Sequence, residues 1–259
     1  MICPKCGAKL VCCEKTFRCE NNHTYDRARQ GYVNLMLGGN HGDSKEMVAA
    51  RHRFLNADYY HLLKERLEEI VTRLQVRVLL DLGCGEGYYT SGMSRHVAEC
   101  YGVDLSKDAL KIASRMDKHT QYVVASIFRL PFEDESVDGI TNIFAPAPVD
   151  ECARVLKNRG IYIRVAPHRR HLYGLKKKLY DQVYENEMEL IKDERFELIE
   201  RVKVEDVIHI DDHDDIEALF MMTPYYWKSS KEAAHKVAEM ESLDTEIAFD
   251  IQIYRKKDC

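Results

Sequence analysis

The 259-residue chain opens with CPKCGAKLVCCEKTFRCENNH, so five of its nine cysteines and a histidine fall within residues 3–23. The spacing Cys3-x2-Cys6-x12-Cys19-x3-His23 is that of a tetrahedral zinc site, because each short pair forms a tight turn that presents two ligands to one ion. Gly7, directly after Cys6, suits the positive φ such turns often require. Cys12 and Cys13 compete for ligand duty, but adjacent cysteines chelate poorly and KLVCCEKTFRC alternates like a hairpin strand. The preferred ligands are Cys3, Cys6, Cys19 and His23. No open coordination position is implied, so the zinc is expected to be structural. Its binding would supply on the order of 10 kcal/mol of folding free energy that so few apolar residues cannot provide.

A second stretch, RVLLDLGCGEGYYT, reads as a strand, a glycine turn and the start of a helix. A dinucleotide fingerprint spaces its glycines G-x-G-x-x-G to aim helix amides at a pyrophosphate. Here Gly83, Gly85 and Gly87 are spaced G-x-G-x-G, and Asp81 stands two residues before the first. That carboxylate repels a pyrophosphate but can hold the ammonium of an amino-acid moiety. Asp104, in YGVDLS, lies 21 residues beyond Gly83 and is placed to accept both hydroxyls of a ribose. Together these point to S-adenosylmethionine rather than NAD. A turn role for Asp81 and a helix cap for Asp104 are the structural alternatives, with Ser106 also available as the cap. Ser126 stands where many such enzymes place an adenine-binding Asp.

The elements that position these residues follow from periodicity. DYYHLLKERLEEIVTRL repeats as an amphipathic helix, and the runs AECYGVD, TQYVVAS, VDGITNIF and GIYIRVAP read as strands with helical patterns between most of them. Two further strand-like runs near 195–204 and 245–254 complete an α/β, seven-stranded, doubly wound sheet. The chain therefore divides into a zinc module over 1–37, a linker over 38–57 and a cofactor-binding domain over 58–259.

Composition (45% hydrophobic, 31% charged) is that of a globular protein. No apolar run approaches the roughly 18 residues of a membrane span, and no signal peptide follows Met1, so a cytoplasmic setting with reduced thiols is expected. The net charge of −5 conceals an asymmetry. Residues 1–40 hold six Lys/Arg against three Asp/Glu, and 154–178 hold nine Lys/Arg and no carboxylate, whereas 205–217 hold seven acidic residues. That pattern permits a nucleic-acid footprint.

The cysteine module followed by GYVNLML, GDSKEMVAARHRFLNADYY, LDLGCGEGYYT, ARVLKNRGIYI, RHL and MTPYYW resembles the RlmA family over essentially the whole chain. The resemblance implies a class I (Rossmann-like) methyltransferase domain and a zinc-ribbon-like N-terminal domain that grips RNA. It further implies a homodimer and transfer of a methyl group from S-adenosylmethionine to N1 of a guanine in hairpin 35 (domain II) of 23S rRNA. One branch of the family is linked to tylosin-type macrolide resistance. By resemblance, Cys3, Cys6, Cys19 and His23 match the zinc ligands, and Tyr60, Gly85, Glu86 and His171 match positions that touch the cofactor. One departure is Asn158-Arg159-Gly160, where Pro-Gly-Gly is usual.

Guanine N1 carries a proton that must leave when a methyl arrives. Asp43 and Glu46 of GDSKEM are the candidate acceptors, against the plainer reading of solvated loop carboxylates. NIFAPAP (142–148) lacks the Asp/Asn-Pro-Pro-aromatic motif of enzymes that methylate exocyclic amines. A methyltransferase of another RNA, protein or small molecule, and a non-catalytic RNA-binding scaffold, are the competing functions. Only the scaffold predicts a damaged glycine turn, and this turn is intact.

Overall fold

Alternating polar and apolar residues, broken by turns, make the first three strands: β1 (Val11–Cys13), β2 (Thr16–Arg18) and β3 (Thr24–Asp26) pair antiparallel as a small sheet. A computed structural model describes residues 1–39 and 42–258; residues 40 and 41 of the expected linker, and residue 259, lie outside it. After β4 (Val33–Asn34) come α1 (Lys45–Asn56) and α2 (His61–Arg73). The βαβ region runs β5 (Val78–Leu82), α3 (Tyr88–Met93), β6 (Glu99–Asp104), α4 (Lys107–Met116), β7 (Thr120–Val124), β8 (Val137–Ile143), α5 (Val149–Val155) and β9 (Leu156–Pro167). The chain closes with α6 (Tyr173–Leu179), β10 (Phe196–Ile210), α7 (His213–Met221), α8 (Tyr225–Lys228), α9 (Lys231–Ala238) and β11 (Leu243–Lys256).

The large sheet has the order β10-β11-β9-β8-β5-β6-β7-β4. Its central strands are parallel and β11 runs antiparallel to both neighbours. Strands β5–β11 are the seven expected; β4, from the tail of the cysteine module, adds an eighth beside β7. Leu79, Leu80 and Leu82 of β5 are all buried, as a central strand covered on both faces requires. Leu63, Leu67, Ile70 and Val71 form the buried stripe of α2. The Asn158-Arg159-Gly160 departure lies inside β9, where Arg159 takes a left-handed φ of 63°.

Two features differ from the reading by periodicity. The segment expected as a linker carries α1, capped by Ser44, whose Oγ accepts the Met47 amide at 3.2 Å, and held by buried Val48, Phe54 and Leu55. Arg53 of α1 pairs with Asp212, the N-cap of α7, at 2.9 Å and with Asp215 of α7 at 2.5 Å, so part of the acidic run is a counter-charge. The cysteine module is also built onto the sheet: the Ile2 amide bonds the Pro131 carbonyl at 2.9 Å, and Leu10 and Phe17 share a buried cluster with Leu130 and Phe132.

Candidate functional site

Cys3, Cys6, Cys19 and His23 converge with all four ligand atoms within 4.8 Å of one another. Sγ of Cys6 and Cys19 are 3.7 Å apart, and His23 Nδ1 is 3.5 Å from the sulfurs of Cys3 and of Cys19. A tetrahedron with Zn–S bonds of about 2.3 Å has S···S edges near 3.8 Å, so the donor set fits zinc with His23 bound through Nδ1. The Tyr25 hydroxyl lies 3.2 Å from Cys3 Sγ and Asn21 Nδ2 donates to Cys6 Sγ at 3.3 Å; such outer contacts orient ligands. Cys12 and Cys13 are exposed on β1, outside the cluster.

At the carboxyl ends of β5 and β6, Gly83, Gly85 and Gly87 all take positive φ (73°, 55° and 84°), which closes a turn that other residues would strain. Asp104 clamps it: Oδ2 accepts the Gly85 amide at 2.9 Å and Oδ1 the Ser106 amide at 2.7 Å, while burial raises its pKa. Ser106, not Asp104, caps α4. Asp81, expected to face an ammonium, instead turns inward. It is 2% exposed and accepts from Thr90 at 2.5 Å and Thr141 at 2.8 Å, with burial pushing its pKa up to about 6 despite those bonds. Its two oxygens tie the turn to α3 and β8. Ser126 accepts the Phe128 amide at 3.2 Å beside the end of β7, shaping a local turn.

Tyr60 is buried between Phe54 and Phe249, and its hydroxyl lies 3.4 Å from His171 Nε2. His171 Nδ1 accepts the Ala248 amide at 3.2 Å, so the ring proton sits on Nε2. Burial, then Lys176, lowers the His171 pKa to about 3, and the imidazole is neutral. An unfolded chain takes up this proton below pH ~6.5, so the stability tied to neutral His171 is complete above that pH. It is lost as pH falls toward 3, by roughly 4 kcal/mol at pH 3.5. His171→Phe should lower stability at pH 7 yet flatten the decline between pH 6 and 4 in urea melts; equal slopes would refute the assignment.

Residues 1–45 match the family model described as RlmA, N-terminal, and residues 80–164 match a methyltransferase domain. The chain is 30% identical over 255 residues to the 23S rRNA (guanine(748)-N(1))-methyltransferase of Streptomyces fradiae, covering 93% of this chain and 91% of that protein. The chain belongs to the RlmA family. YxjB of Bacillus subtilis, provisionally named a 23S rRNA (guanine-N(1)-)-methyltransferase, is 30% identical over 283 residues, covering 98% of this chain and 96% of YxjB. A chain in the solved complex between the Haloferax volcanii Trm112 methyltransferase activator and a methyltransferase shares the fold, with TM-score 0.51 at 18% identity, covering 83% of this chain and 99% of that one. As an RlmA-family member, the protein is an S-adenosylmethionine-dependent methyltransferase with an N-terminal zinc ribbon.

The turn fits that cofactor in a further respect. The Tyr89 hydroxyl, on α3, is buried with no hydrogen-bond partner among the described residues, a vacancy a polar ligand can fill. Glu86 is buried and its Oε2 accepts Arg51 Nε at 2.8 Å; Arg51 Nη1 donates to Asp43 at 2.7 Å. Asp43 is thus an ion-pair partner rather than a free base. Glu46 is exposed in the first turn of α1, where its own amide and Ser44 lower its pKa, so it serves the helix end. Arg51 and Tyr89 escaped the sequence reading. Arg51 was hidden in the supposed linker, and the spacing of a buried helix disguises Tyr89.

The charges also sort differently from their runs. Within 154–178, six cations have a carboxylate within 4 Å: Arg154, Lys157, Arg159, Arg164, Arg169 and Arg170. Lys176 is buried and donates to the Tyr184 carbonyl and Asn186 Oδ1, which leaves Lys177 and Lys178 exposed without such a carboxylate among the described residues. By contrast Lys5, Lys9, Lys15, Arg18 and Arg29 are exposed, without such a carboxylate among the described residues. The RlmA zinc ribbon therefore carries the freer positive surface.

Proposed function

We propose that this RlmA-family enzyme methylates N1 of a guanine in hairpin 35 of 23S rRNA. The carrying observation is the likeness, over nearly the whole chain, to proteins named 23S rRNA guanine-N1-methyltransferases. The unneutralised cations of the zinc ribbon support an RNA-gripping role for it. In the same reading the enzyme works in the cytoplasm as a homodimer, and a macrolide-resistance role follows where the guanine it modifies is that of the family's resistance-linked branch. No helix among the described residues is long and apolar enough to cross a membrane.

The cofactor supplies an electrophilic methyl group on a sulfonium. Asp104 would receive the ribose hydroxyls, the Gly83–Gly87 turn would admit the methionine end, Ser126 would border the adenine, and Tyr60 and His171 would wall the reacting end. Asp81 acts as a positioning residue through the turn. Phe144, directly after β8, is 41% exposed at φ 55°, a strained conformation for a phenylalanine. Its ring lies nearly parallel to His171 (centroids 6.2 Å, 19°) and offers a platform on which an unstacked guanine rests. Asn142 holds the Leu82 and Pro146 carbonyls at 3.4 and 3.2 Å, fixing the loop behind that platform. S-adenosylmethionine held there would supply the methyl group to N1, whose proton would pass to water. Neither ion-paired Asp43 nor helix-end Glu46 nor neutral His171 is free to take it.

Transfer from labelled S-adenosylmethionine to 23S RNA lacking the modification, mapped by primer-extension stops, tests the site: a stop in hairpin 35 is expected, and one elsewhere refutes it. Phe144→Ala should cut kcat/KM for RNA about 10- to 100-fold at unchanged cofactor-product affinity, since base–aromatic stacking contributes about 1–3 kcal/mol. Phe144→Tyr should restore most of it.

A further inference from the structure

Arg51 lies over the cofactor turn. A Cβ built on Gly85 would stand 3.3 Å from Arg51 Nη2 and 3.4 Å from Nε, so the guanidinium rests on the glycine where any side chain would push it away. Two of its nitrogens are committed, Nε to Glu86 and Nη1 to Asp43, while Nη2 has no hydrogen-bond partner among the described residues. Burial opposes the charge, yet Glu86 and Asp43 raise the Arg51 pKa, so it stays a cation. The strand of chain leading to α1 is seated with it. A Cβ on Gly42 would meet the Ser106 nitrogen and Cα at 2.5 Å, and Ser106 Oγ contacts the Asp43 carbonyl at 3.5 Å. Residues 42–51 thus touch both turns that hold the cofactor. The unpartnered Tyr89 hydroxyl belongs to the first turn of α3, whose Tyr89 stands two residues beyond Gly87 and three beyond Glu86.

We propose that Arg51 Nη2 and the Tyr89 hydroxyl hold the α-carboxylate of S-adenosylmethionine, with Asp43 and Glu86 as positioning residues that fix the guanidinium. A carboxylate is the ligand that satisfies both vacancies, since it accepts from a guanidinium edge and from a phenolic O–H. Asp43, Arg51 and Glu86 together carry one net negative charge. That suits a ligand presenting an ammonium and a sulfonium beside its single carboxylate. The clamp deepens the cofactor assignment and rests on it.

Calorimetry separates the two claims. The probes are S-adenosylhomocysteine and its decarboxylated counterpart, which keeps adenosine, thioether and amine. Wild-type enzyme should bind both, the first more tightly. Arg51→Met should weaken S-adenosylhomocysteine about 10- to 100-fold, the range of a charge-assisted hydrogen bond, and change the decarboxylated probe less than about threefold. Tyr89→Phe, which removes one oxygen and leaves the packing intact, should show the same selectivity at about three- to tenfold, and Arg51→Lys should recover part of the loss. Equal losses for both probes, or none, in Arg51→Met and Tyr89→Phe would overturn the clamp alone. Wild-type enzyme that binds neither probe would overturn the cofactor assignment and the clamp with it.

Discussion

Replacing Cys19 with Ser, or stripping zinc with a chelator, should unfold residues 1–35 and abolish methyl transfer to RNA while cofactor binding persists. The module holds little apolar material of its own; its buried Leu10 and Phe17 belong to a cluster that includes Leu130 and Phe132 of the neighbouring layer. Without the ion that orders them, the four ligands that meet within 4.8 Å would be left as two buried thiols, one exposed thiol and a half-buried imidazole. The metal's contribution is on the order of 10 kcal/mol, comparable with the total stability of an ordinary domain. The damage should spread one strand inward. Val33 and Asn34 pair with Val123 and Val124, and the Leu35 amide bonds the Val124 carbonyl, so amides at that edge should exchange faster too. Asp104 is the register partner of Val124, one strand in from that edge, but its carboxylate bonds to Gly85 and Ser106 involve neither β4 nor β7 and should persist. Hydrogen exchange with and without chelator reads both effects. Unchanged protection over residues 1–35 in metal-free protein would show that zinc does not hold this module.

Asp104→Ala should weaken S-adenosylhomocysteine at least 100-fold by calorimetry. Its carboxylate already accepts the amides of Gly85 and Ser106, so it sets the shape of the glycine turn besides the ribose contact proposed for it. Losing two hydrogen bonds to a charged acceptor accounts for about 3 kcal/mol or more, and a relaxed turn adds to it. Asp104→Asn should be nearly as damaging, because an amide NH2 must face one of those two backbone N–H donors. An Asn variant that binds the cofactor product normally would show that the charge and its two acceptors are dispensable.

Much of this arrangement is legible in the chain because several levels agree. The 3.6-residue period marks α2, continuous apolar residues mark β5, and three glycines with a spaced Asp mark the turn between them. Ligand spacing likewise marks the zinc site, since short Cys/His pairs permit few geometries. What stays hidden depends on neighbours distant in sequence. Asp81 looks like a ligand until Thr90 and Thr141 are seen to enclose it. The basic run 154–178 looks like a footprint until its partners at 134, 138, 151, 185, 189, 246 and 258 fold against it. Helix α1 reads as a linker because its polar start conceals a Ser44 cap, and its buried face is completed only by α7 and the cofactor turn.

The central claim is that this zinc-bearing RlmA-family enzyme places a methyl group on N1 of guanine in ribosomal RNA. The most direct test is to incubate the zinc-loaded enzyme with labelled S-adenosylmethionine and unmodified 23S rRNA, digest the RNA to nucleosides, and separate them by chromatography with mass detection. All of the label should elute as 1-methylguanosine. Label in an N2-methylated guanosine or in another nucleoside, or none in RNA from an enzyme that binds S-adenosylhomocysteine, would contradict the account.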